Sequence, residues 1–117
     1  MKKKILILLP TLNEVHHILK LYKKILKYNS DADILFIDDG STDGSWNVIT
    51  EIKKKAKNKI FVIRRNQRRG LGKAHKDGLY WAYNKNYSYL ITMDTDFAHD
   101  PKYIPLLINK IHKNDLV

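Results

Sequence analysis

Four short, continuous apolar runs recur along this chain of 117 residues, and a segment whose apolar residues have helical spacing follows each of them. A run of this kind predicts a strand that is buried on both faces, which is typical of parallel sheets. The runs are KILILLP (4–10), DILFID (33–38), KIFVIR (59–64) and YSYLITMD (87–94). Their alternation with helices predicts a Rossmann-like α/β fold, in which a mostly parallel sheet is covered by helices on both faces in three α/β/α layers.

The segments after the runs supply the inward faces of four predicted helices. Their apolar residues are Val15, Ile18, Leu19, Tyr22, Ile25 and Leu26, then Trp46, Ile49, Ile52 and Ala56, then Leu71, Ala74, Gly78, Trp81 and Ala82, and finally Ile104, Leu107, Ile108 and Ile111. We expect the first helix over 14–28, Asp43 as the N-cap of the second, and Pro101 in the first turn of a fourth helix over 101–113. The spacing also makes Trp46 and Trp81 core residues.

The closing residues DLV (115–117) have the character of a fifth apolar strand that has just begun. We therefore expect residues 1–117 to form a single domain that is the N-terminal fragment of a longer protein. The apolar run at the start is too short for a signal peptide, and no run approaches the ~18 apolar residues of a membrane span. These features predict a cytoplasmic protein.

Charge and cysteine content narrow the class of ligand. The chain has no cysteine, which excludes a disulfide framework and a thiolate metal site. Lys and Arg number 22 against 12 Asp and Glu, a net charge of +10 that favours nucleotide phosphates, anionic lipid or nucleic acid as partners. A solvated helix end accounts equally well for the Lys-rich segment 53–59.

The residues that follow the four predicted strands concentrate the polar chemistry. In open α/β sheets, ligands bind beyond the carboxyl ends of the strands. Three of these exits carry acids (PTLNE, DDGSTDG and DTDFAHD), whereas the exit after the third strand carries Arg64, Arg65, Arg68 and Arg69. Acidic loops beside a basic loop predict a metal–phosphate ligand. The chain has no Walker A loop, and GLGKAH has His75 in place of the third glycine of a dinucleotide fingerprint.

Two carboxylates at the fourth exit could hold the metal. Asp94 and Asp96 point the same way in an extended segment, because strand side chains alternate. Mg²⁺ is typically held by one or two carboxylates together with substrate phosphates. On its own the pair could equally be turn residues before the next helix. Asp38 and Asp39 point to opposite sides, so at most one of them faces the ligand, and DDGS is also good turn chemistry.

The order of the strands follows from the requirement for one shared crevice. Residues 10–14 and 94–96 can hold the same ligand only if they flank a point where strand order reverses. We therefore expect the fourth strand beside the first, on the side opposite the second. Glu14 could instead only support the first turn of its helix, and Arg68, Arg69 and Lys73 could either reach a phosphate or be solvated.

Four blocks occur in a fixed order: LLPTLNE (8–14), FIDDGSTDGS (36–45), GLGKAHKDGL (70–79) and MDTDFAHDPKYIP (93–105). Together they resemble the family 2 glycosyltransferases with the GT-A fold, most closely the polyprenol- or dolichol-phosphate mannosyltransferases. The resemblance implies transfer of mannose from GDP-mannose to a polyprenyl phosphate, with Mg²⁺ or Mn²⁺ as the cofactor. It also implies a peripheral position at the cytoplasmic face of a membrane, with acceptor and membrane contacts in a missing C-terminal part, and without that part we expect no turnover.

By motif match the resemblance also assigns residues. The donor site would comprise Pro10, Leu12, Glu14, Ile37, Asp39, Asp94, Thr95 and Asp96. Asp94 and Asp96 would be the metal ligands, and no catalytic residue is identified. Leu12 departs from the family, which often has Tyr there, and Ala98 stands where some relatives have a ligand oxygen.

Three alternatives remain open at this stage. The first is a family 2 transferase that uses another nucleotide sugar for cell-surface glycans, and the second is a non-catalytic nucleotide-binding module. The third is a nucleic-acid-binding domain, which the charge suggests but which lacks a recognised motif and has acidic loops at its ligand face. We therefore expect no nucleic-acid partner. Binding that weakens steeply with salt would favour the third alternative.

Overall fold

The computed structural model describes residues 5–28, 31–65, 70–93 and 109–110. Within them the alternation predicted from the apolar runs is confirmed. The elements are β1 (Ile5–Thr11), α1 (Ile18–Tyr28), β2 (Asp33–Asp38), α2 (Ser45–Lys55), β3 (Ile60–Arg64), α3 (Leu71–Asn84), β4 (Tyr89–Thr92) and β5 (Asn109–Lys110).

The strands form one sheet in the order β3-β2-β1-β4-β5. Strands β1, β2, β3 and β4 are mutually parallel, and β5 is antiparallel to β4. The predicted placement of β4 beside β1, opposite β2, is confirmed. The chain therefore reverses its direction of winding between β1 and β4, which is where open α/β sheets bind ligands.

The predicted fourth helix is wrong at its C-terminal part. Lys110 pairs with Tyr89 and Asn109 pairs with Leu90, so these residues complete the edge of β4 instead of a helix. An edge strand presents unpaired N–H and C=O groups to any segment that reaches it, and helical spacing in the sequence carries no information about such pairing. The rest of the predicted helix and the closing DLV lie outside the described residues.

Strand β1 is buried on both faces, and this creates two cores. Leu6 and Leu8 contact one core while Ile7 and Leu9 contact the other, and all four are 0% exposed. The first core is completed by Ile18, Leu21 and Ile25 of α1 and by Ile49 and Ile52 of α2. The second is completed by Ala74, Leu79, Trp81 and Ala82 of α3. The predicted three-layer arrangement is confirmed, as is the packing of Trp46 and Trp81 against the cores.

Two helix starts differ from the sequence-based expectation. Helix α1 begins at Ile18 because residues 15–17 form a turn, in which the Glu14 carbonyl accepts the N–H groups of His17 and Ile18. The N-cap of α2 is Gly44 rather than Asp43, and its φ of 95° suits glycine. Asp43 still satisfies a first-turn donor, since its Oδ1 accepts the Ser45 N–H at 2.9 Å.

Helix α3 lies close to β1 because its inward face is made of small residues. Ala74, Gly78 and Ala82 are spaced four apart on that face, and the two alanines are buried. A Cβ added at Gly78 would lie 2.7 Å from Cδ1 of Leu8. Since Leu8 is fully buried, it has no room to yield, so the spacing between helix and sheet depends on the missing side chain.

We expect Gly78→Ala to lower the free energy of unfolding by about 1–3 kcal/mol, the usual cost of overpacking a core. Urea denaturation monitored by circular dichroism would measure it. Gly72→Ala is the matched control on the same helix, because nothing lies within 4 Å of its added Cβ. The control should be neutral or stabilising by up to about 1 kcal/mol. Equal stability of Gly78→Ala and the native chain would contradict the close packing of α3 on β1.

Candidate functional site

The carboxyl ends of the parallel strands open at one edge of the sheet. Two loops meet there, the first loop (residues 12–17) after β1 and the second loop (residues 39–44) after β2. Strand β3 ends at the same edge with Arg64, and α3 starts close by, since the Gly70 N–H donates to Asp39 of the second loop. The described part of the predicted site is built from these segments.

The proline at position 10 limits the hydrogen bonds that β1 can donate toward β4 at this edge. The described pairing of the two strands ends at Leu8 and Thr92, with the Met93 N–H donating to the Leu8 carbonyl at 3.1 Å. Backbone groups alternate between the two neighbours of a strand, so residue 10 would supply the next donor toward β4. Proline has no N–H, and the ladder cannot be extended by that bond. The carboxyl ends of β1 and β4, where the strand order reverses, are the place where the ligand was predicted.

The first and second loops are held together by a set of hydrogen bonds that we call the loop clasp. Three successive N–H groups of the first loop donate to side chains of the second loop and the start of α2. The bonds run from Asn13 to Oγ of Ser41 at 2.9 Å, from Glu14 to Oγ of Ser45 at 3.0 Å, and from Val15 to Oδ2 of Asp43 at 3.1 Å. The Thr42 N–H returns a bond to Oδ1 of Asn13 at 2.9 Å. The polar residues of STDGS thus fix the shape of the first loop.

Asp38 is a second, deeper brace. Its side chain is 0% exposed and accepts from Oγ1 of Thr11 and from the Ser41 N–H, both at 2.9 Å, and from Oγ of Ser41 at 2.5 Å. A buried carboxylate is costly unless hydrogen bonds compensate it, and here three donors do so. Of the two adjacent acids, Asp38 serves the scaffold, in keeping with the expectation that at most one of them faces a ligand.

Asp39, the acid chosen for the ligand, lies at the junction of three segments. Its N–H donates to the Thr11 carbonyl at 2.9 Å, and its Oδ2 accepts the Gly70 N–H at 3.0 Å. Its Oδ1 lies 3.5 Å from Nη1 of Arg65. Arg65 is itself buried, and its Nη2 donates to Oδ2 of Asp77 at 2.5 Å. By sequence, Arg65 was counted among the cations of the basic third exit. In the structure its buried charge is paired with the carboxylates of Asp39 and Asp77.

The remaining predicted contacts have varied positions. Leu12 is 36% exposed at the tip of the first loop, and Pro10 is half-buried. The Glu14 carboxylate lies 2.9 Å from Nδ1 of His17. The side chain of Ile37 belongs to the second core. Asp94, Thr95 and Asp96, like Ala98, Arg68 and Arg69, lie outside the described residues.

Arg64 is an exposed cation at the end of β3. Its guanidinium carbon lies 5.0 Å from the centre of the Trp46 ring, a cation–π distance. The two side chains line a pocket of about 400 Å³ together with Thr42 and Asn47. Arg64 is therefore placed beside the second loop, at the edge of the sheet where a phosphate was predicted.

A metal centre is not assembled within residues 5–28, 31–65, 70–93 and 109–110, where no group of three or more His, Asp or Glu side chains could hold an ion. The donors predicted for it, Asp94 and Asp96, supply the carboxylate oxygens that hard divalent cations prefer. Met93 precedes them, and its N–H donates to the Leu8 carbonyl of β1, so the last described residue before them lies where the strand order reverses. In the same described residues, the helices lack the length and apolar content that a bilayer span requires.

A family model described as Glycosyl transferase family 2 matches residues 6–117. An uncharacterized protein of Methanocaldococcus jannaschii is 37% identical over 89% of this chain and 45% of its own length. The undecaprenyl-phosphate mannosyltransferase of Micrococcus luteus is 28% identical over 97% of this chain and 46% of its own. The polyprenol monophosphomannose synthase of Mycolicibacterium smegmatis is 29% identical over 91% of this chain and 40% of its own length. The chain therefore spans less than half the length of these relatives.

Solved structures share the fold. The mannosyltransferase PcManGT of Pyrobaculum calidifontis, in complex with GDP-Man and Mn²⁺, superposes with a TM-score of 0.71 at 19% identity, over 82% of this chain and 28% of that one. S. aureus TarS in complex with UDP-GlcNAc gives a TM-score of 0.67 at 23% identity, over 80% of this chain and 26% of the TarS chain. The likeness shows a GT-A-like fold.

Removing the deep brace should destabilise the protein. In Asp38→Ala, the Thr11 and Ser41 donors lose their acceptor in a buried place, and we expect the free energy of unfolding to fall by about 3 kcal/mol. Asp31→Ala, which truncates an exposed acid just before β2, should change it by less than about 0.5 kcal/mol. Chemical denaturation of both variants would measure the difference. Similar stabilities would show that Asp38 does not brace the site.

The loop clasp should also give stability a dependence on pH. Desolvation raises the pKa of Asp43, but hydrogen bonds from Ser45 and Val15 outweigh it, and the net pKa lies below its ordinary value of 3.8. A lowered folded-state pKa gives stability that is present above pH 3.8 and is lost as pH falls through the folded-state value. The stability advantage of the native chain over Asp43→Asn should therefore shrink below pH 3.8. Denaturation midpoints between pH 2.5 and 6 would show it, whereas a constant advantage would contradict the clasp.

Proposed function

Because the chain belongs to glycosyltransferase family 2, we propose that its residues form the donor-binding domain of an enzyme that transfers mannose from GDP-mannose to a polyprenyl phosphate. The observation that carries the proposal is the match to two enzymes named for this chemistry, an undecaprenyl-phosphate mannosyltransferase and a polyprenol monophosphomannose synthase, over 97% and 91% of this chain. Donor binding is proposed for these 117 residues, and transfer for the whole protein.

The donor would lie in the crevice between β1 and β4. Its nucleoside would contact Pro10, Leu12 and Glu14 from one side and Asp39 from the other, on loops whose shape the loop clasp already holds. Such preorganisation lowers the ordering cost of binding. Arg64 and Lys73 are exposed near this edge and would meet the negative charge of the diphosphate.

Asp94 and Asp96 would hold Mg²⁺ or Mn²⁺, with Thr95 between them. Bound there, the cation supplies Lewis-acid stabilisation of the charge that develops on the leaving diphosphate, which is worth several kcal/mol. The two carboxylates would orient it against the diphosphate, since side chains two residues apart in an extended segment share a face. Support comes from the Mn²⁺ complex of PcManGT, a protein of the same fold.

The polyprenyl phosphate acceptor is proposed to bind to the whole protein. A polyprenyl phosphate resides in a membrane, so the whole protein would work at the cytoplasmic face of a bilayer. The net charge of +10 suits an anionic lipid surface. The acceptor site would belong to the part of the protein that corresponds to the remaining half of the curated relatives.

We expect the chain to bind GDP and GDP-mannose in a metal-dependent way, and Asp96→Ala to weaken this binding by about tenfold or more, equivalent to ~1.4 kcal/mol. Calorimetric titration with GDP and UDP, with and without Mn²⁺, measures both effects. Asp100→Ala removes a nearby carboxylate that is not assigned to the metal and should leave the affinity unchanged.

Each alternative predicts a different result in the same titrations. Preference for UDP over GDP would favour a family 2 transferase with another donor. Equal affinity of Asp96→Ala and the native chain would remove Asp96 from the metal site. Affinity for an oligonucleotide that falls steeply with salt, without nucleotide binding, would overturn the proposal.

A further inference from the structure

We infer that Arg65 is a positioning residue of the donor site: its buried guanidinium sets the place and orientation of the Asp39 carboxylate. Arg65 is 6% exposed, so it acts on a ligand through Asp39 and not by touching it. The inference rests on the proposed function, in which Asp39 contacts the nucleoside of the donor.

The buried charge of Arg65 is compensated by two carboxylates. The guanidinium of Arg65 lies between the carboxylates of Asp39 and Asp77, whose side chains are 10% and 42% exposed. A buried ionised group is very costly unless an opposite charge and hydrogen bonds compensate it. Removing one partner of such a pair leaves the other uncompensated. The orientation of Asp39 therefore depends on where Arg65 is held.

Arg65 is held from the side of α3. Its Nη2 donates to Oδ2 of Asp77 at 2.5 Å, a short charge-assisted hydrogen bond. Asp77 lies in the middle of α3, a helix that is fixed on β1 by its small inward residues. The position of the guanidinium is thus tied to α3 and, through this helix, to the packing of the second core.

The other guanidinium nitrogen of Arg65, Nη1, faces Asp39 and makes a longer contact than Nη2 makes with Asp77. Nη1 lies 3.5 Å from Oδ1 of Asp39, longer than the roughly 2.7–3.2 Å of an N–H···O hydrogen bond. This nitrogen is buried and has no hydrogen-bond partner among the described residues. A pair built only for stability would bond through both arms of the fork. A buried donor without a hydrogen bond lowers the stability of the fold. Unfavourable arrangements of this kind are expected at functional sites.

The other bonds of Asp39 make the positioning specific. The Thr11 carbonyl holds its N–H and the Gly70 N–H holds its Oδ2, while Arg65 attracts its Oδ1. The backbone of Asp39 is therefore held from β1, and its carboxylate is oriented from the start of α3 and from the residue after β3. Lysine could not replace Arg65 here, because its single ammonium group lacks the planar set of donors with which a guanidinium contacts two carboxylates at once.

A double-mutant cycle on nucleotide binding tests the inference. The native chain, Arg65→Lys, Asp39→Asn and the double variant are titrated with GDP and with UDP in the presence of Mn²⁺, and the tighter nucleotide is used. We expect each single substitution to weaken binding about tenfold, and the double variant to bind no more weakly than Asp39→Asn. A purely structural role would lower the melting temperature and leave the dissociation constant of the folded protein unchanged.

Asp77→Asn provides a second test should Arg65→Lys fail to fold. This substitution weakens the bond that holds Arg65 and leaves the residues of the donor site unchanged. We expect it to reduce nucleotide affinity by a few-fold, and we expect no further reduction when it is added to Asp39→Asn. Additive losses in either cycle, or unchanged affinity of Arg65→Lys, would overturn the inference while the proposed function stood. A native chain that binds neither GDP nor UDP would overturn the proposed function and the inference with it.

Discussion

The burial of β1 on both faces is the constraint on which the rest of this structure depends. Residues Leu6 to Leu9 are all fully buried, and alternate ones face opposite cores. Such a strand is stable only if elements cover both sides of the sheet, which places α1 and α2 on one face and α3 on the other. Parallel pairing then brings the carboxyl ends of the strands to one edge. The position of the site is thus a consequence of how the core is made.

The site itself depends on bonds between loops. Strands deliver the loops to one edge, but they do not fix loop conformation, and the loop clasp does this through the side chains of Ser41, Asp43 and Ser45. Asp38 supports the same loops from below, through Thr11 and Ser41. Residues that would meet a nucleotide are therefore held by a scaffold that is already bonded. Binding then loses less conformational entropy.

The net charge of this chain gives an incomplete picture of its ligand face. Of the arginines at the end of β3, Arg65 is paired with the acids Asp39 and Asp77, and Arg64 contacts the ring of Trp46. A basic run in a sequence thus combines charges with different uses. The membership of glycosyltransferase family 2 and the reversal of strand order between β1 and β4 carry more information about function than the charge does.

The sequence by itself determined the first four strands, the layering, the order of β4 beside β1 and the family. Apolar periodicity and contiguous motifs are local properties, so consecutive residues suffice to read them. The position of β4 followed instead from the requirement that residues 10–14 and 94–96 hold one ligand. Only the tertiary structure decided that residues 109–110 pair with β4, that Gly44 and not Asp43 caps α2, and that Ile37 belongs to a core. It also decided that Arg65 joins Asp39 to Asp77. These contacts depend on register and packing between segments distant in the chain, and no short stretch of sequence records that geometry.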